Sequence, residues 1–343
     1  MLSERQLQIL QAIVDDYIRS AEPVGSRSIS KREDVTYSAA TIRNEMADLE
    51  ELGYIEKPHS SAGRIPSHKG YRYYVDNLLF PHHLSSDDAG TIKTLFEERF
   101  QETEQVIQQS AKILSTVTSY ISVVLGPEMY DMKMKHVQII PLSEQKAVII
   151  LVTDSGHVEN YTFSIPEGMD TGELEKVVNI LNERLQGVPL VQLRTKIARE
   201  VTHVLKANIR NYRQIVTALN QTLQPDKGDR VFYGGKTNLL NQPEFKDIEK
   251  VRLLYNILEE DQLVQQIFRK DSHGIQVRIG HENDMEAFEN CSIITASYSV
   301  GGKEMGTIGI LGPTRMEYRR VISVLDYISK DLTKMLTNLY QRD

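Results

Sequence analysis

Over the first eighty positions, apolar residues recur at helical spacing and the breaks between runs are sharp. Leu7, Leu10, Ile13, Val14, Tyr17 and Ile18 make one stripe, which predicts a helix from Ser3 to Ser20 opened by a Ser3…Gln6 capping box. Ala21-Glu22-Pro23-Val24-Gly25 breaks it, and Ser26 can cap a second, short helix through Lys31. After a linker from Glu33 to Tyr37, Ile42, Met46 and Leu49 repeat on one helical face. They predict a helix from Ala39 to Leu52, with Ser38 as N-cap and Gly53 as the stop. Tyr54-Ile55-Glu56 and Arg64-Ile65-Pro66 are short strand signals around a turn, Ser60 to Gly63, and Ser67 caps a further helix containing Tyr71, Tyr74 and Leu78. Three helices followed by strand, turn and strand describe a winged helix-turn-helix whose third helix would read a DNA major groove.

Beyond it, Pro81 to Gly90 is a polar linker, and Thr91 to Tyr120 reads as one long connecting helix. Strand patterns follow at His136–Leu142, Lys146–Val152 and His157–Ile165. The period then turns helical over Thr171–Gln186 and Arg194–Leu223, with a strand at Gly228–Tyr233 and helices over Asp247–Glu259 and Asp261–Arg269. Strands return at Ile275–Gly280, Ser292–Tyr298 and Glu304–Leu311 before a terminal helix from Arg315 to about Tyr340. The fold class is α+β, and the strands before Ser164 and after Gly274 read as halves of one antiparallel sheet interrupted by a mainly helical insert. The expected segments are 1–80 for DNA binding, 81–120 for linker and connecting helix, 121–166 with 229–343 for the sheet, and 167–228 for the insert.

Composition narrows the function. A chain of 343 residues with 40% hydrophobic and 25% charged residues is ordinary for a globular protein. No apolar run approaches the roughly eighteen residues of a membrane span, no signal peptide opens the chain, and one cysteine suits a reducing cytoplasm. The net charge of −7 argues against indiscriminate nucleic-acid binding, but its distribution matters more. From Lys57 to Val75 there are four Lys or Arg (Lys57, Arg64, Lys69, Arg72), two His (His59, His68) and no acid. That run lies on and after the wing.

The face of the third helix opposite its apolar stripe carries Ala40, Asn44 and Ala47, flanked by Thr41 and Arg43. Small residues let a helix approach a groove floor, Asn matches adenine N6/N7 and Arg matches guanine O6/N7. The candidate DNA contacts are Arg27, Ser38, Ala40, Thr41, Arg43, Asn44, His59, Arg64 and Lys69. Arg64, beside Gly63, reads either as a phosphate or minor-groove contact or as a solvated turn cation. Cys291 reads as a small buried hydrophobe, His281-Glu282-Asn283 as a loop, His82-His83 as solvated linker and Gly301-Gly302 as a hairpin turn. No phosphate-binding loop, dinucleotide fingerprint or zinc-protease motif is present, so no enzyme, cofactor or metal site is expected. The apolar stripe of the second insert helix, with Val201, Val204, Leu205, Ile209 and Tyr212, is either internal packing or a dimer surface. A winged helix reading a palindrome needs a two-fold partner, which favours the dimer.

Assembled, the chain resembles the HrcA family of bacterial heat-inducible transcription repressors over nearly its whole length. The carriers are Pro23-Val24-Gly25-Ser26-Arg27, the run from Ala40 to Glu50, the run from His59 to Pro66, Lys69-Gly70-Tyr71-Arg72-Tyr73-Tyr74-Val75-Asp76, and Gly306 to Met316. The resemblance implies a GAF-like domain built on the antiparallel sheet and an inserted dimerising domain. It also implies repression of chaperonin and DnaK-type operons through an inverted-repeat (CIRCE-type) operator, relieved on heat stress, with the chaperonin modulating activity. Two other readings stay on the page: a regulator holding a small effector in its sheet domain, and a scaffold whose winged helix never meets DNA.

Overall fold

The computed structural model describes residues 2–58, 63–79, 84–96, 103–126, 132–154, 156, 158–166, 168–210, 212–222, 231–269, 274–300 and 302–340. The chain forms two compact units, Met1–Leu125 with Val231–Leu336, and Gly126–Arg230 with Thr337–Asp343.

The first unit begins with α1 (Glu4–Ser20). Ser3 closes its capping box: its hydroxyl accepts the Gln6 N–H at 3.2 Å, while the Gln6 side chain accepts the Ser3 N–H at 3.0 Å. Ile9, Leu10, Ile13 and Val14 bury the inner face of α1 completely. Next come α2 (Ser26–Ile29), α3 (Ala39–Glu51), and a small hairpin of β1 (Ile55–Glu56) and β2 (Ile65–Pro66) with Ile55 opposite Pro66. Gly53, at φ 76°, turns the chain off α3 into β1, a conformation that favours glycine. At the wing base, Val24 and Arg64 exchange backbone hydrogen bonds of 2.8 and 2.9 Å. A Cβ on Gly63 would stand 2.6 Å from the Pro23 carbonyl oxygen, so a larger residue would push the wing off the turn before α2. Ser67 caps α4 (His68–Tyr73), which runs into a single π turn, Tyr74–Leu78.

The chain continues through α5 (Ser86–Leu95), α6 (Thr103–Thr118) and β3 (Ile121–Leu125). The second unit then contributes β4 (Met134–Pro141), β5 (Lys146–Thr153), β6 (Val158–Ser164), α7 (Thr171–Leu185), α8 (Leu193–Lys196), α9 (Thr202–Asn208) and α10 (Tyr212–Thr222). The return to the first unit supplies β7 (Val231–Gly234), α11 (Ile248–Glu259), α12 (Asp261–Phe268), β8 (Gln276–Ile279), β9 (Cys291–Val300), β10 (Lys303–Pro313) and, as far as Leu336, α13 (Tyr318–Tyr340). The expected connecting helix Thr91–Tyr120 is described as two helices, α5 and α6, with 97–102 between them outside the described residues.

The expected single split sheet is two sheets. One is five-stranded and antiparallel throughout, in the order β7-β3-β10-β9-β8; the other is a three-stranded meander, β4-β5-β6. The strands from 134 to 164 therefore belong with the helices that follow them, and a division at 167 cuts through the second unit. The physical reason is local: few residues separate β4 from β5 and β5 from β6, so each finds its partner next in sequence, with Gln138 opposite Ile150 and Ile150 opposite Asn160. The five-stranded sheet is completed instead by β3 and β7. On one of its faces Ile121, Val123, Leu125, Cys291, Ile293 and Leu311 pack with Leu254, Leu258, Val264 and Phe268 of α11 and α12. On the other face Ser122 donates to the Ala111 carbonyl of α6.

In the second unit the alternate residues Val137, Ile149, Leu151 and Phe163 form a core with Leu174, Val177, Leu181 and Leu185 of α7. The same core takes Val201, Leu205 and Ile209, which are 0%, 0% and 3% exposed. These three, expected at a dimer surface, instead fill the protomer's own interior; Val204 and Tyr212 are half-buried. The expected continuous helix Arg194–Leu223 is broken as well. A π turn spans Ile197–Val201, and Ile209 is extended (φ −126°, ψ 129°), which turns α10 back onto the core. Among the described residues no helix is long and apolar enough to cross a membrane.

Candidate nucleic-acid interface

The centre of the candidate interface is α3. Ser38 is extended and its hydroxyl accepts the Thr41 N–H at 3.1 Å, lying also 2.9 Å from the Thr41 hydroxyl. Both hydroxyls thus take part in the cap. Ile42, Met46 and Leu49 are buried, so the opposite strip of Ala40, Arg43, Asn44, Ala47 and Asp48 stands in solvent. The structure brings Ala40, Arg43 and Asn44 together on this strip, and Arg27 is exposed on the preceding α2. His59 lies outside the described residues.

Two candidates are employed otherwise. Arg64 is placed against α3, its Nε 2.8 Å and its Nη2 2.6 Å from the Glu50 carboxylate. Its guanidinium is thus paired with a carboxylate at the base of the wing. Lys69 donates to the Leu52 carbonyl at 2.8 Å and sits 4.5 Å over the Tyr54 ring. A cation there satisfies an orphan carbonyl and suits the negative end of the α3 dipole. Long, flexible basic side chains cannot be assigned to a ligand from sequence, because any carboxylate or carbonyl within reach competes. Sequence reasoning passed over Arg5, which pairs with Glu45 at 3.3 Å; Arg32, in the Ser26–Arg32 region expected to meet phosphate, holds Asp16 of α1 at 2.6 Å and Asp34 at 2.8 Å. That pairing keeps the Asp34 carboxyl below its usual range, chiefly through the Arg32 hydrogen bond. The Arg5–Glu45 pair ties α3 to α1, and the Arg32 pairs tie the α2–α3 turn to α1.

Behind α3, α4 mounts the winged helix on the five-stranded sheet of the same unit. Arg72 forms a fork on the Glu282 carboxylate and donates to the Val277 carbonyl at 2.6 Å. The His68 ring stacks on His281 with centroids 4.2 Å apart. Burial, then the neighbouring His281, pushes the His68 pKa below its ordinary 6.5. Arg315 donates to the Ile18 carbonyl at 2.6 Å and pairs with Glu244 at 2.6 Å, tying the C-terminal end of α1 to the sheet. His281-Glu282-Asn283, expected as an idle loop, is thus the seat of α4. Cys291 is fully buried, its thiol pushed up to about 12 by that burial, which leaves no thiolate for chemistry at neutral pH.

Comparison with known proteins agrees with this arrangement. Residues 1–76 match the family described as winged helix-turn-helix transcription repressor, HrcA DNA-binding, and residues 104–322 match HrcA protein C terminal domain. The chain is 64% identical to the heat-inducible transcription repressor HrcA of Halalkalibacterium halodurans, over all of both chains. It is 58% identical to the protein of that name from Shouchella clausii, covering 98% of this chain and 99% of that one. A crystal structure described only as a hypothetical protein at 2.2 Å resolution shares 26% identity, covers 99% of this chain and 100% of its own, and superposes with a TM-score of 0.71.

Proposed function

This chain belongs to the HrcA family of heat-inducible transcription repressors, and we propose that it represses chaperonin and DnaK-type operons by binding a CIRCE-type inverted repeat as a homodimer. It is a DNA-binding repressor and not an enzyme. The observation that carries the proposal is the exposed strip of α3, where Ala40 allows close approach and Arg43 and Asn44 offer donors to base edges. Arg27 would hold phosphate on one side, positioning the helix without reading sequence. Arg64 and Lys69 are better assigned to holding the wing and the α3 C-terminus in place.

A homodimer is supported by a second observation. The face of β4-β5-β6 turned away from the core carries Ile140, Val148, Ile150, Val152 and Val158, all at least partly exposed. Exposed His136, Gln138, Asn160 and Thr162 flank this row on the outer strands. A central apolar row with a polar rim is suited to a second copy of the chain, and a two-fold partner is what an inverted repeat requires. The reading includes a cytoplasmic location, release on heat stress and modulation by the chaperonin.

The test is a titration of wild type and Asn44→Ala on an inverted repeat, a single half-site and a scrambled duplex over a range of salt. Wild type should prefer the inverted repeat with a steep salt slope, and Asn44→Ala should lose on the order of 1–3 kcal/mol per half-site while sparing non-specific binding. An unchanged operator-to-scrambled ratio for Asn44→Ala would remove α3 as the reader. Adding purified chaperonin before and after warming tests the modulation: no change in operator occupancy in either state would sink it.

A further inference from the structure

We propose that Asp48 is a specificity-determining residue, its carboxylate accepting a hydrogen bond from the N4 amino group of a cytosine in the major groove. This rests on α3 being the reading helix. Four acids lie on α3, and the structure sorts them: Glu45 is held by Arg5 and Glu50 by Arg64, leaving Asp48 and Glu51. Glu51 is the last helical residue, whereas Asp48 follows Asn44 by four positions. At about 100° and 1.5 Å per residue, Asp48 is about 40° around and about 6 Å along the axis from Asn44, on the same exposed strip. Arg43, Asn44, Ala47 and Asp48 thus form one outward ladder over two turns, a span comparable to that read by the recognition helix of a homeodomain. No cation meets the exposed Asp48 carboxylate among the described residues, so it is open to a donor from outside the chain.

An anion carried into a phosphate-lined groove is repelled unless it finds a donor. An ionised carboxylate only accepts. Guanine presents acceptors at N7 and O6, thymine an acceptor at O4, and adenine an acceptor at N7 beside its amino group. Cytosine alone offers an amino donor without an adjacent acceptor on the same base. Asp48 therefore selects cytosine by attraction and rejects the other bases, and random sequence in general, by repulsion.

The experiment is selection from a duplex library, randomised over an inverted-repeat length, with the full-length protein at one fixed salt. Wild type, Asp48→Ala, Asp48→Asn and Asn44→Ala are compared after thermal melts have verified that each is folded. Asp48→Ala should lose a cytosine preference of about ten-fold at one position per half-site and bind scrambled duplex more tightly. Asp48→Asn should move that preference towards adenine, which an amide matches in bidentate fashion. If both Asp48 variants tighten every sequence alike and leave all base preferences intact while Asn44→Ala changes one, Asp48 is only a solvated charge and the assignment falls. If Asn44→Ala also leaves every preference intact, α3 is not the reader, and the functional reading falls with it.

Discussion

The two sheets of this protein differ in what lies on their faces. In the five-stranded sheet, β3 is buried at every one of its positions, with α11 and α12 on one side and α6 on the other. In the three-stranded sheet, the central strand β5 alternates: Ala147, Ile149, Leu151 and Thr153 are buried, while Val148, Ile150 and Val152 are only partly covered. The flanking Ile140 and Val158 are 39% and 50% exposed. A solvent face of an antiparallel sheet ordinarily alternates to polar residues. Here the outer face of the central strand is β-branched and apolar, so the chain maintains hydrophobic surface that its own fold does not consume. A sheet covered on both faces is a foundation, and a sheet covered on one is an offer of contact.

Charge insertion separates the two cases, and the largest effect belongs to the foundation. Val123→Asp puts a carboxylate between two covered faces and should cost several kcal/mol, on the order of 3–5, enough to leave the first unit unfolded by circular dichroism and calorimetry. Leu205→Asp should do the same to the second unit, because its side chain lies in that unit's core and not on a surface. Ile150→Asp should melt nearly as wild type and yet sediment as a monomer at micromolar concentration. Intact dimers from Ile150→Asp would move the interface off this sheet face.

A smaller effect is expected at the wing base. Arg64→Ala removes the partner of Glu50 and should lower stability by about 1 kcal/mol while leaving the salt slope of DNA binding unchanged. A slope reduced by about one unit would instead return Arg64 to the phosphates. The smallest effect is a pH dependence at the seat of α4, where Glu56, Glu282 and Glu289 surround the His68–His281 stack. Because burial lowers the His68 pKa, its contribution to stability is complete above about 6.5 and is lost as pH falls from there through the folded value. His68→Phe, which keeps the ring stack without the titration, should flatten the acid limb of a stability-versus-pH profile. An unchanged limb would show that other groups set it.

Much of this architecture is legible along the chain. Ser3, Ser38 and Ser67 cap the helices expected of them, and the stripe Ile42, Met46, Leu49 predicts which face of α3 is exposed. These features depend on neighbours within a turn or two, so a local pattern carries them completely. Ile121–Leu125 went unread as a strand because a short continuous apolar run has no period to announce it. Once β3 is missing, the remaining strands divide wrongly between the sheets.

The sequence by itself determined the winged helix, its outward strip, the alternation of β4 to β6 and the family resemblance. Only the tertiary structure decided that β3 and β7, rather than β4 to β6, complete the five-stranded sheet, that Leu205 faces inward, and that Arg64 belongs to Glu50. The reason is range. Caps and stripes are set by residues a few positions apart, whereas strand pairing and the partner of a long cation are chosen among groups tens or hundreds of residues away, and only the folded chain brings those together.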